Sequence, residues 1–184
     1  YRYFAGRDDL LGELIRDAYD DVAQAIAQAD SGSAEDPRST LHALAGAYRS
    51  WAVAQPHRYL LIQGTPLPGY AAPSDTLQRA RAVLGPFLKA FATGAPAKAL
   101  RPAVAEMDAW VHKDDGVADW VAQHTGLPPH GKAAGIALAG TVLAWSQLHG
   151  TVGLEVSGHY TGMGHHASTL LTAQIDTLAD SFGL

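Results

Sequence analysis

Apolar residues recur every three or four positions along almost the whole chain. No stretch alternates apolar and polar residues with the β-branched enrichment that strands need. A chain patterned in this way folds as packed helices, so the predicted class is all-α. The breaks are as plain as the periods. Asp30-Ser31-Gly32-Ser33, Gly64-Thr65-Pro66-Leu67-Pro68-Gly69, Thr93-Gly94-Ala95-Pro96 and Gly126-Leu127-Pro128-Pro129 are runs of turn formers.

Between these breaks the helices can be placed. A first helix is predicted over 7–29, with Gly6 as N-cap and Asp8 and Asp9 in the first turn, where carboxylates complement the helix dipole. A second starts at Asp36-Pro37, an N-cap followed by proline at the first helical position, and carries Leu41, Leu44, Tyr48, Trp51 and Gln55 on one face. A short helix over 56–62 follows. Ser74 or Asp75 is expected to cap the next, which should kink or break at Gly85-Pro86 because a mid-helix proline removes a hydrogen bond. Further helices are expected over 102–112 and 115–124. The segment 132–152 is apolar nearly all round, so it needs partners on several sides. A last helix carries Leu171, Ile175, Leu178 and Phe182. Two long apolar helices at the C-terminal end suit a two-fold four-helix bundle, and a homodimer through about 132–152 and 165–182 is expected.

At 184 residues the chain suits one domain with a sizeable core, and it holds no internal repeat. It contains no Cys, which excludes disulfides, thiolate metal sites and Cys nucleophiles. No apolar run is long enough to span a membrane, so no membrane partner is expected. The formal net charge of −5 argues against these residues forming a free-standing nucleic-acid binder.

Two segments carry a family resemblance. The opening run Tyr1-Arg2-Tyr3-Phe4-Ala5-Gly6-Arg7-Asp8-Asp9-Leu10-Leu11 resembles the junction of TetR-type transcription regulators, where the recognition helix ends and the connector helix begins. The segment Trp145-Ser146-Gln147-Leu148-His149-Gly150-Thr151-Val152-Gly153-Leu154-Glu155-Val156-Ser157-Gly158-His159 resembles the C-terminal signature of the subfamily named for its Trp-His-Gly pattern. With the loop at 64–69 the resemblance covers nearly the whole chain. It implies a helical ligand-binding and dimerisation domain over 7–184 and a remnant of the helix-turn-helix headpiece over 1–6. It also implies a cytoplasmic, ligand-responsive DNA-binding regulator of repressor type that is not an enzyme, with an unknown small-molecule effector and operator DNA as partners. Tyr1, Tyr3 and Arg7 would then be the surviving DNA-binding residues. On this resemblance most of the headpiece would lie upstream of Tyr1, which is the main departure from the family pattern.

A second reading rests on the nine His. His149, His159, His165 and His166 cluster late in the chain, as in a His-dependent helical-bundle metalloenzyme. Against it, His165 and His166 are adjacent and cannot face one site from a helix. No His-Glu-x-x-His, nucleophile elbow or phosphate-cradling glycine loop appears. No metal site and no cofactor is therefore expected. An apolar cavity is the favoured site: Tyr48, Trp51, Tyr59, Gln63, Phe87, Phe91, Met107, Trp110 and Trp145 are its candidate lining, because ligand pockets have mostly apolar, aromatic walls. His149 is a candidate for a ligand hydrogen bond, or for a buried His bonded to nearby backbone or to Glu155. Gln63 and His112 are the candidate polar anchors.

Overall fold

The computed structural model describes residues 6–32, 36–63 and 69–184. Among these, eight α-helices follow one another: α1 Arg7–Gly32, α2 Pro37–Ala54, α3 Pro56–Gln63, α4 Thr76–Phe91, α5 Arg101–Lys113, α6 Asp115–Thr125, α7 Lys132–Val156 and α8 Ala167–Ser181. A single 3₁₀ turn, Lys98–Leu100, leads into α5. No strand occurs among the described residues. Tyr1, Tyr3 and most of the 64–69 loop lie outside the described residues.

Local chemistry sets the helix ends. Asp36 caps α2, its carboxylate accepting from the Ser39 backbone N–H at 2.8 Å, with Pro37 in the first turn. Asp114 caps α6 in the same way through the N–H of Val117 at 3.1 Å. Gly126 closes α6 in the left-handed conformation, φ 68°, which glycine adopts without a side-chain clash. Asp75 occupies the N-cap position of α4 but makes no capping bond. Its carboxylate is instead held by Arg16 at 3.2 Å and Arg79 at 3.0 Å.

α4 runs unbroken through Gly85-Pro86, contrary to the break considered for this point. Buried residues on both sides, Val83 before the proline and Phe87, Leu88 and Phe91 after it, fasten both halves to the core. Gly85 leaves space that the His124 ring fills from α6.

α7 is the central element, packing against α2, α3, α4, α5, α6 and α8. Its breadth of apolar surface is therefore used within one protomer, and that breadth alone no longer argues for a subunit contact. Small residues permit the crowding. A Cβ at Gly140 would overlap the ring of Phe91, and one at Gly135 would come within 2.7 Å of Asp108 Cβ. The main core joins α1, α2, α4, α7 and α8, and a smaller cluster of Leu88, Val111, Val117, Val121 and Leu138 fills the space among α4 to α7.

Candidate ligand-binding site

The cavity sits where α1 to α7 face one another, with a volume of about 450 Å³. α1 contributes Tyr19 and Val22, α2 contributes Tyr48, and α3 ends on the wall with Ile62 and Gln63. α4 supplies a face from Leu77 through Ala80, Arg81 and Val83 to Leu84. Trp110 of α5, Asp114, and Val117 and Trp120 of α6 line another side. α7 closes it with Leu138, Thr141, Val142 and Trp145. Leu77, Trp110 and Trp145 are 60%, 42% and 38% exposed, so they form an apolar lip between the cavity and solvent.

The polar groups of this wall are few. Thr141, buried in the otherwise apolar 133–145 stretch of α7, donates its hydroxyl to Ala137 O at 2.9 Å. The Tyr48 hydroxyl is buried and has no hydrogen-bond partner among the described residues. Burial pushes its phenol far above the ordinary range, with smaller contributions from Tyr59 and Tyr19, so it stays protonated. Burial raises Tyr19 as well. At the edge, the Arg81 guanidinium lies over the Trp120 ring, 5.8 Å from its centroid, and the Trp120 indole N–H donates to Arg81 O at 3.1 Å.

The structure brings Tyr48, Gln63, Trp110 and Trp145 onto the cavity wall. It places Trp51, Tyr59, Phe87, Phe91, Met107 and His149 elsewhere. Trp51 and Tyr59 form an aromatic cluster behind Tyr48, with ring centroids 6.2 to 6.5 Å apart, and the Trp51 indole donates to Asp21 at 3.1 Å. Burial pushes Tyr59 up to about 12. Phe91 packs edge-on against Phe182 at 4.9 Å, and Phe87 is wholly buried in the same core. Met107 bridges the two apolar clusters.

His149 stacks on Trp145, centroids 6.0 Å apart and planes 23° apart, and meets the Tyr59 hydroxyl at 3.3 Å through Nδ1. Its partner is thus Tyr59 rather than Glu155, which takes Arg49 in a two-pronged pair at 2.8 and 2.5 Å. His112 is exposed, donates Nδ1–H to Asp108 O at 2.8 Å and does not reach the cavity. Arg7 is exposed at the start of α1. The metalloenzyme reading needs about three ligands at one point. Among the described residues no group of three His, Asp or Glu is placed to hold a metal ion.

Sequence reasoning missed Tyr19, Arg81, Trp120 and Thr141. Thr141 carried a usable signal, since it is the one hydroxyl between 132 and 145. The other three join the wall through the packing of α1, α4 and α6, which no local pattern encodes.

Comparison with known proteins agrees with this architecture. The profile of the family "Tetracyclin repressor-like, C-terminal domain" matches residues 41–178. The HTH-type transcriptional regulators Rv1816 of Mycobacterium tuberculosis (strain ATCC 25618 / H37Rv) and Mb1846 of Mycobacterium bovis (strain ATCC BAA-935 / AF2122/97) are each 34% identical over 170 residues, covering 87% of this chain. The chain spans 66% of the length of these curated relatives. The crystal structure of SCO4313, a candidate regulatory protein, superposes with a TM-score of 0.74 at 36% identity, covering 98% of this chain and 77% of that one. A protein of unknown function from Rhodococcus sp. RHA1 shares the fold, with a TM-score of 0.65 at 20% identity over 100% of this chain and 77% of that one. By sequence and by architecture, this chain belongs to the tetracycline-repressor-like C-terminal domain family.

Proposed function

We propose that residues 7–184 are the effector-binding and dimerising part of a DNA-binding transcription regulator, and that residues 1–6 are the end of its helix-turn-helix headpiece. The observation that carries this reading is the position of Tyr19 and Val22. They line the cavity and lie on α1, the helix that begins at Arg7. An occupant of the cavity touches the same rigid rod that meets the headpiece. Val22 lies fifteen helical steps beyond Arg7, a lever of about 22 Å at 1.5 Å per residue. A ligand that prefers one tilt of α1 shifts the population toward that tilt and changes the spacing of two headpieces. Paired recognition helices must sit about 34–36 Å apart to read half-sites in successive major grooves, so a changed spacing releases DNA.

The curated relatives are named as transcriptional regulators, and the cytoplasm is where such a protein meets its operator. No helix among the described residues is long and apolar enough to cross a membrane. The outward faces of α7 and α8, with Leu154 on one and Thr172, Ala173 and Thr177 on the other, are exposed and form the proposed dimer surface.

The test compares the operator affinity of the protein carrying its complete headpiece with the cavity empty and with it filled. Weaker binding on filling is expected. Equal affinities would overturn the mechanism for that ligand.

A further inference from the structure

We propose that the cavity selects a neutral, largely apolar, ring-containing molecule and rejects anions; this rests on the reading of the cavity as the effector site. About 450 Å³ lies within the range of pockets that enclose small drug-sized molecules. The wall presents the rings of Tyr19, Tyr48, Trp110, Trp120 and Trp145, against which flat rings pack in offset or edge-on arrangements.

Charge decides the rest. The Tyr19 and Tyr48 phenols, the Gln63 amide and the Thr141 hydroxyl are neutral, and the Thr141 hydroxyl already donates its hydrogen bond to Ala137 O. Arg81 is the one cationic side chain on the wall among the described residues. The wall also carries one carboxylate, Asp114, so its formal charges cancel. The Arg81 guanidinium is also engaged with the Trp120 ring. An anion entering would lose its hydration and gain no net positive field in return. A cation meets the same balance with the signs reversed. Phosphorylated sugars, nucleotides and free amino acids are excluded on this chemistry.

The test uses two fluorescent probes with one skeleton: N-phenyl-1-naphthylamine, which is neutral, and its 8-sulfonate, which is anionic. Each is titrated into the protein, and tryptophan emission is followed as well, because three of the four Trp line the cavity. The neutral probe should bind one to one, quench tryptophan and show at least tenfold tighter affinity than the sulfonate. Ala80→Trp and Val142→Phe each narrow the cavity and should weaken the neutral probe at least tenfold while the helical circular dichroism is kept. If one variant does not fold, the other and the wild-type quenching carry the comparison. Equal or tighter binding of the sulfonate overturns the charge selectivity and leaves the cavity reading standing. A neutral probe that binds without quenching, or binds folded filled variants unchanged, overturns both.

Discussion

The packing of Phe91 against Gly140 shows how a single missing atom shapes this protein. Phe91 is wholly buried, and its ring occupies the space where a side chain at Gly140 would lie. Phe182 packs edge-on against the same ring, which restricts its retreat. Gly140→Ala should therefore destabilise by about 1–3 kcal/mol through overpacking. Thermal unfolding would register this as a drop of several degrees, at roughly 2–4 °C per kcal/mol for a domain of this size. Adding Phe91→Leu should recover part of the loss, and a double-mutant cycle with purely additive effects would contradict the clash. The sequence could not show this pair. Phe91 was readable as a large apolar residue and was assigned to a pocket, but only the crossing of α4 over α7 decides that it is core. Trp110 and Trp145 were assigned by the same argument and do reach the cavity. The difference lies in helix geometry, not in residue type. At the start of α1, Arg7 belongs to the proposed DNA contact. Arg7→Ala should weaken DNA binding of the protein with its complete headpiece and lower the salt slope of log K by about 0.9, as for one lost phosphate contact.

α1 is fastened to the rest by charge along one side. Arg16 reaches Asp75 and Glu13, Arg79 reaches Asp75 and Asp20, and Arg58 reaches Asp21. These pairs are partly exposed, so each contributes little alone, and salt screens them. Their arrangement still matters, because they join α1 to α3 and to both ends of the first turn of α4. The hydrogen bond from Arg79, and behind it that from Arg16, holds the Asp75 carboxyl below the usual carboxylate range against the opposing effect of burial. A carboxyl with a depressed folded pKa stabilises at and above its unfolded value near 4, and that contribution fades as pH falls through the lower folded value. Melting temperatures of wild type and Asp75→Asn should accordingly differ slightly at pH 7 and converge below about pH 4. A gap that stays constant down to pH 2 would contradict the linkage. Element boundaries were well marked in the sequence wherever a cap used its own local backbone, as at Asp36 and Gly126. At Asp75 the boundary stands where the sequence puts it, but the carboxylate serves a distant helix instead of the cap, its partner Arg16 lying 59 residues away.

The whole molecule is a layer of helices wrapped round α7, and its all-α class followed from periodicity alone. What periodicity did not distinguish was a helix that is apolar because it is central from one that is apolar because a second subunit covers it. α7 is buried or half-buried from Ala133 to Ala144 and leaves Trp145, Ser146, Gly150 and Leu154 exposed in its C-terminal half. The proposed subunit contact must then use the smaller exposed faces of α7 and α8. Leu154→Arg and Ala173→Arg are expected to shift the protein from dimer to monomer in sedimentation velocity without loss of helix content, and a dimer that survives both changes would place the interface elsewhere. One further consequence follows from the bond between the Trp51 indole and Asp21. Trp51 is the one tryptophan that does not line the cavity, and its indole is hydrogen-bonded to α1 itself. A version with phenylalanine at the other three tryptophan positions keeps an aromatic wall and contains a built-in optical gauge. Its emission would shift when α1 swings and stay silent when a ligand merely arrives, so that occupancy and leverage become separately readable signals in a single cuvette.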